Sequence, residues 1–269
     1  MTENMKIETL IVTVDNTDTS LAGRMNVQTD TIVGNQCGID SVEVTYANGN
    51  RVTYINTSER GVGRNRNTVL EASTSDICIL ADDDMHFIDG YPVIANRAFE
   101  ECPDADIVIF NLIEKVPRRY RNVKTRRIGR FNYARYGAAR IAFLRSSVVG
   151  AGICFNTHFG GGTEYSAGED TIFLKECLDK HLKIYAVPYD LAEIDQDAES
   201  TWFTGYNEKF FHDKGALYAF LYPAAWSLFS LRFLLLKRKK YGRGMSFCAA
   251  FRYMVDGGKE MLRKRRQGL

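Results

Sequence analysis

Over the first 190 residues, short apolar runs alternate with segments of helical spacing. Residues 8–15 read as a strand, followed by a polar, helix-like stretch to Met25 and a second strand at "TIVGNQ" (31–36). "SVEVTYANGNRVTYINTS" is a hairpin, two alternating runs around Asn48-Gly49-Asn50, residue types that tolerate positive φ. "GVGRNRNTVLEAST" carries helix spacing, and Ser75-Asp76 closes it before a strand at 77–81. A helix near 91–101, a strand at "DADIVIFNLI", a basic stretch leading into the strand "ARIAFLR", and a strand near 183–187 complete the rhythm. Strand, crossover and strand in this order predict an open, mainly parallel α/β sheet with flanking helices. From about residue 205 the chain becomes helical and aromatic.

In such sheets ligands bind beyond the carboxyl ends of strands. The apolar run 77–81 ends on Asp82, Asp83 and Asp84, three carboxylates whose repulsion needs an answer. Alternation along a strand would point Asp82 and Asp84 together. A hard divalent cation held with substrate phosphates is one answer. A turn or capping cluster is the other. A second constellation, "FGGGTEYSAGED", sets a glycine-rich loop before Gly168-Glu169-Asp170 and an amphipathic run. Acids there suit a helix start, where the dipole favours negative charge. A carboxylate aimed from that position into a cleft also suits a general base.

The chain has 269 residues, 45% hydrophobic and 25% charged, ordinary for a soluble globular protein with one large domain or one with an appendage. Six scattered cysteines with no CxxC pair favour free thiols in a reducing compartment over disulfides or zinc. The acidic N-terminus runs straight into a strand pattern, so no signal peptide is read there. There is no GxxxxGK[ST] or GxSxG motif, and "GVGRNRN" is not a dinucleotide fingerprint because Arg66 occupies the third glycine's place. The net charge of +2 hides an asymmetry: residues 232–269 hold twelve Lys or Arg against Asp256 and Glu260, net +10, which leaves −8 on residues 1–231.

The acidic triplet ending a strand, then Gly-Glu-Asp opening a helix after a glycine-rich loop, resembles family 2 glycosyltransferases with the GT-A fold. The upstream "ERGVGRNRNTVLEAST" is similar to that family's Gly-x-x-x-x-Arg-Asn stretch. "MNVQTDTIVGNQ" and "ESTWFTGYNEKFFHDKGA" look like a subgroup of bacterial surface-polysaccharide transferases, and the resemblance spans roughly residues 8–215. It implies a GT-A domain over 1–204 and a helical, basic extension over 205–269. It also implies Mg²⁺ or Mn²⁺ on the diphosphate of a nucleotide sugar, UDP foremost, with Asp84 the direct ligand and Asp82 supporting it. Asp83 would lie near the ribose or donor sugar. The nucleotide would sit near Thr13 and Val14, with Gly61, Arg66 and Asn67 beside it. Asp170 would be the base in an inverting displacement, assisted by Glu169.

Two departures matter. Where the family commonly reads the nucleobase with an aspartate, this chain has Asn35-Gln36. A metal-side histidine is also missing, its neighbourhood holding Glu193, Asp195 and Asp197. His158 is structural or faces the acceptor, and Trp202 either stacks on a sugar or plugs the core. The arginines at 118–135 form a solvated loop or meet a phosphate-bearing acceptor. The alternatives in function are a sugar-phosphate nucleotidyltransferase and a non-catalytic nucleotide-sugar-binding subunit. In the tail, about twenty largely apolar residues are broken by Pro223 and Arg232, which argues against a membrane span. A packed helical cap, or helices lying at the inner face of a membrane with the basic residues on anionic lipid, both fit. The latter suits a lipid-linked or saccharide acceptor. No nucleic-acid module accompanies the basic residues.

Overall fold

The first strand, β1 (Ile7–Val14), is buried at seven of its eight residues, as a strand covered on both faces must be. Its alternate residues serve two cores: Ile7 and Ile11 join one cluster, Leu10 and Val12 the other. The computed structural model describes residues 5–196, 205–242 and 244–268. Trp202 and Asp197 therefore lie outside the described residues. The chain forms two units, one of residues 1–156 with 170–199 and another of residues 157–169 with 200–269.

In the first unit, α1 (Leu21–Arg24) is a single turn, followed by β2 (Asp30–Gln36), β3 (Ser41–Ala47) and β4 (Asn50–Thr57). The β3–β4 hairpin turns on Asn48 at φ 50° and Gly49 at φ 81°. Next come α2 (Val62–Ala72), β5 (Ile77–Asp82), β6 (Met85–Phe87), α3 (Tyr91–Glu101), β7 (Ile107–Ile113), β8 (Arg126–Ile128), β9 (Ile141–Leu144) and α4 (Arg145–Gly150). The unit closes with α5 (Glu169–Asp179), whose first residue belongs to the second unit, and β10 (Ile184–Ile194). The strand order is β3-β4-β2-β1-β5-β9-β7-β10-β6, with β8 paired to β10. Strands β4, β2, β1 and β5 run parallel, as do β7 and β10.

The sheet is more mixed than the sequence rhythm suggests. Strand β9 is antiparallel to both β5 and β7. It enters after the long basic excursion that follows β7, with no crossover helix to return it in the parallel sense. Helices cover both faces: α3 packs with Ile11, Ile79 and Phe110, while α2 and α5 pack with Leu10, Leu80 and Ile109.

The second unit is built on α6 (Glu208–Leu221), α7 (Trp226–Tyr241) and α8 (Phe247–Arg266). Asn207 and Ser246 cap α6 and α8, accepting from Phe210 N (2.9 Å) and Ala249 N (3.1 Å). Glycines let α6 and α8 touch backbone to backbone: a Cβ on Gly215 would fall 2.0 Å from the Met254 carbonyl, and one on Gly257 the same distance from that of His212. The glycine-rich loop groups with these helices, Ser166 donating to Asp213 through both N (2.9 Å) and Oγ (2.7 Å). Among the described residues no helix is long and apolar enough to cross a membrane.

At the amino end of β1, Glu8 is buried and accepts from Ser73 Oγ (2.5 Å), Thr74 N (2.9 Å) and Ser75 N (3.2 Å). Burial pushes its carboxyl upward, yet these three donors outweigh it and hold the group below the ordinary glutamate range. A depressed folded-state pKa stabilises the fold above the unfolded value of about 4.5 and loses that contribution as pH falls through the folded one. Glu8→Gln should therefore cost about 1–3 kcal/mol at pH 7, with the gap to wild type narrowing below pH 4.5 in denaturant titrations.

Candidate active site

Strands β1 and β5 are parallel neighbours in a register that sets Val12 opposite Asp82, so β1 runs two residues beyond the end of β5 and brings Thr13 beside the turn. β5 stops at Asp82, and Asp83-Asp84 form the turn into β6. The alternation that would align Asp82 with Asp84 therefore does not apply, because the backbone leaves the extended conformation between them. The three carboxylates are separated by partner instead.

Asp82 Oδ1 accepts from Arg66 Nη2 at 2.9 Å. Arg66, on α2, is 4% exposed, and its guanidinium stands 5.6 Å from the centre of the Phe155 ring. Asn67 fixes that phenylalanine through two backbone hydrogen bonds, donating to Phe155 O (2.9 Å) and accepting from Phe155 N (2.7 Å). Asp83 accepts from Thr13 Oγ1. Asp84 is different. Its Oδ1 is buried without a hydrogen-bond partner. Burial, then the charges of Asp82 and Asp83, raise its pKa to about 6 against the opposing pull of Arg119. Its carbonyl accepts from Asp195 N (2.8 Å), which brings the end of β10 alongside.

Val14 is half exposed at the end of β1. The amides of Asn35 and Gln36 are buried and engaged inside the protein. Asn35 bonds Asn16 O (2.9 Å), Asn16 N (3.1 Å) and Asn56 Oδ1 (2.9 Å), while Gln36 donates to the carbonyls of Glu59 (3.0 Å) and Gly61 (3.1 Å). Gly61 caps α2 at φ 120°, a conformation costly for any other residue. Asn65 ties α2 to the sheet, its Nδ2 donating to Gly34 O (2.9 Å) and Thr13 O (3.3 Å).

Glu169 opens α5, as the sequence suggests, and its Oε2 accepts from Gly168 N (3.1 Å). Asp170 Oδ1 accepts from Thr171 N (2.6 Å) and Thr171 Oγ1 (3.2 Å). A Cβ on Gly137 would sit 3.4 Å from Asp170 Oδ2, so that glycine leaves room beside the carboxylate. The aspartate triplet, Arg66 and Asp170 belong to the first unit, whereas Glu169 and the exposed His158 belong to the second.

One residue was missed. Arg140 is 2% exposed and electrostatically coupled to Asp170. The signal lay in "GAARIAF", an arginine between small residues immediately before an apolar strand, where a solvated charge is out of place. The surrounding arginines also have defined places: Arg119 pairs with Glu114 at 2.7 Å, and Arg121 grips Asp190 at 2.8 and 2.9 Å.

Among the described residues, no group of three or more His, Cys, Asp or Glu side chains is arranged to hold a metal ion. The unpartnered, buried Asp84 oxygen does fit a hard cation whose remaining ligands come from phosphate oxygens and water.

The ten-stranded mixed sheet and its flanking helices define a fold of the GT-A class. Solved structures bear out the fold. The S. aureus TarS 1-349 structure matches at a TM-score of 0.62 with 12% identity over 98% of this chain and 92% of that one. The same fragment with UDP-GlcNAc matches at 0.62 with 10% identity over 98% and 92%, and with UDP at 0.61 with 13% identity over the same shares. Residues 40–158 match the model of the family described as Glycosyl transferase family 2, which supports a glycosyltransferase. A sequence search of curated proteins found no match.

Because the folded-state pKa of Asp84 lies above the ordinary 3.8, its ionised form destabilises the fold above pH 6, and that penalty fades as the group takes up a proton. In EDTA, Asp84→Asn should therefore raise stability at pH 7.5 by about 1–2 kcal/mol after solvent screening. The gain should vanish towards pH 4 in thermal melts.

Proposed function

We propose that the protein transfers a sugar, with inversion, from a nucleoside-diphosphate sugar to a hydroxyl of a saccharide or lipid-linked acceptor in bacterial surface-polysaccharide synthesis. The observation that carries this reading is the division of labour at the end of β5, where one oxygen of Asp84 lacks a partner while its neighbours have one each. UDP is the favoured nucleotide, supported by the TarS complexes with UDP-GlcNAc and UDP.

Asp84 would hold Mn²⁺ or Mg²⁺, with Asp82 steadied behind it by Arg66. When bound, the ion supplies positive charge opposite the departing diphosphate. Thr13 keeps Asp83 turned towards the end of β1, near the ribose or donor sugar. Asp170 takes the proton of the attacking hydroxyl at Oδ2, its other oxygen being held by Thr171. Glu169 positions the acceptor or tunes its neighbour, and the acceptor-side roles read for His158 and Trp202 stay part of this proposal. Asn35 and Gln36 shape the base pocket by bracing its walls, since their amides are engaged within the protein. On this reading, residues 1–204 form the catalytic domain and 205–269 its extension.

The extension would also meet the membrane surface. Leu228, Leu231 and Leu235 share one face of α7, and together with Leu236 they are exposed. Lys237, Arg238, Lys239 and Lys240 follow directly. Exposed leucines beside a basic cluster match an anionic lipid interface in both polarity and charge.

Two experiments test these readings. Asp170→Asn should lower turnover by about 10²–10⁴-fold while leaving the Mn²⁺-dependent thermal stabilisation by UDP intact, whereas Asp84→Ala should abolish that stabilisation. A binding-only protein would keep its function in Asp170→Asn. In sedimentation with vesicles, phosphatidylglycerol should retain the protein at least about tenfold better than phosphatidylcholine. Replacing Leu228, Leu231 and Leu235 with Ser should release it. Retention that ignores lipid charge and the leucines would refute the membrane reading.

A further inference from the structure

Arg140 is a buried cation without an acid of its own. Its Nη1 donates to Tyr120 O (2.8 Å) and its Nη2 to Arg135 O (3.3 Å), and the guanidinium lies 4.8 Å from the centre of the Tyr136 ring. Its Nε has no partner, and among the described residues no carboxylate hydrogen-bonds it. Burial lowers its pKa only to about 10, so the group remains charged at neutral pH. Carbonyl dipoles and a ring face soften that desolvation but do not neutralise it.

The nearby carboxylates act on Arg140 only at a distance. Arg140 lines a small cleft with Glu114, Arg119, Tyr120 and Arg121. Glu114 is bonded to Arg119 Nη1 (2.7 Å) and to the amides of Arg118 (3.0 Å) and Arg119 (2.9 Å). Asp190 is gripped by both terminal nitrogens of Arg121. Glu114 in the cleft and Asp190 beside it are thus each bonded to another arginine, and Arg140 is bonded to no carboxylate among the described residues. An anion with several oxygens would complete the set. The turn that carries Arg140 also starts beside Asp170, at Gly137. The charge of Arg119 acts on Asp84, and Asp170 acts on Arg140.

We propose that this cleft binds a phosphate group carried by the acceptor and so holds the attacking hydroxyl beside Asp170. The proposal rests on the glycosyltransferase reading. It assigns the phosphate to the acceptor because the turn that carries Arg140 starts at Gly137, which lies beside Asp170 Oδ2.

The test is thermal melting of the full chain in inorganic phosphate against chloride at matched ionic strength. Phosphate in large excess should raise the wild-type midpoint by about 2–4 °C through mass action. Arg140→Met should lose this response while melting no lower than wild type in chloride, because it also removes an uncompensated buried charge. Arg119→Gln, at a half-exposed position, should weaken the response and serves if Arg140→Met does not fold. With saturating UDP and Mn²⁺ the phosphate response should persist. Three results would overturn the proposal: no phosphate response in wild type, a response retained in Arg140→Met, or one abolished by UDP and Mn²⁺. The last would assign the cleft to the donor's own diphosphate. Failure of UDP and Mn²⁺ to stabilise the protein at all would tell against the underlying transferase reading, independently of the phosphate arm.

Discussion

Three consecutive carboxylates at the end of a buried strand repel one another, and no single environment can satisfy all of them. Here the conflict is resolved by supplying two partners from different elements. Arg66 of α2 reaches Asp82, and Thr13 of β1 reaches Asp83. Both depend on β1 running past the end of β5 and on α2 being tied to the sheet beside them. The remaining acid is left with an unanswered oxygen, and much of the neighbouring architecture follows from this arrangement. Asn65 anchors α2 to β1 and β2, and Asn67 fixes the backbone of Phe155, whose ring lies under Arg66.

The two ends of the sheet show opposite solutions to the burial of an acid. Glu8, at the amino end, has three donors and is held ionised, so its charge belongs to the fold. Asp84, at the carboxyl end, is pushed towards protonation by its surroundings. Arg140 repeats that second condition with the opposite sign, a guanidinium with carbonyl partners only. The poorly compensated groups Asp84 and Arg140 belong to the candidate site, whereas the well-compensated one lies at the far end of β1.

Much of this was legible in the sequence, because an apolar period reports local geometry directly. The hairpin at Asn48-Gly49, helix 91–101 and the helix start at Glu169 all stand where their patterns put them. What failed depends on tertiary partners. The alternation expected for Asp82 and Asp84 broke because the strand ended one residue into the triplet. The reversed sense of β9 could not be read from "ARIAFLR", since strand direction is set by the path of the preceding loop. The internal hydrogen bonds of Asn35 and Gln36 could not be read either, because their acceptors come from distant segments. The glycine-rich loop groups with the C-terminal helices through Asp213, forty-seven residues from Ser166, a link no local pattern could signal.

The close approach at Gly34 has a further consequence. A Cβ there would fall 2.0 Å from Asn65 Oδ1 and 2.8 Å from Val69 Cγ1. Asn65 stands next to Arg66 on the same helix, so any side chain at Gly34 acts as a wedge under α2 and lifts the guanidinium away from Asp82. Strand β2 is therefore a lever on the charge balance of the aspartates. A methyl group added at a position with no chemical role would be transmitted, through one helix turn, to the acids beyond β5.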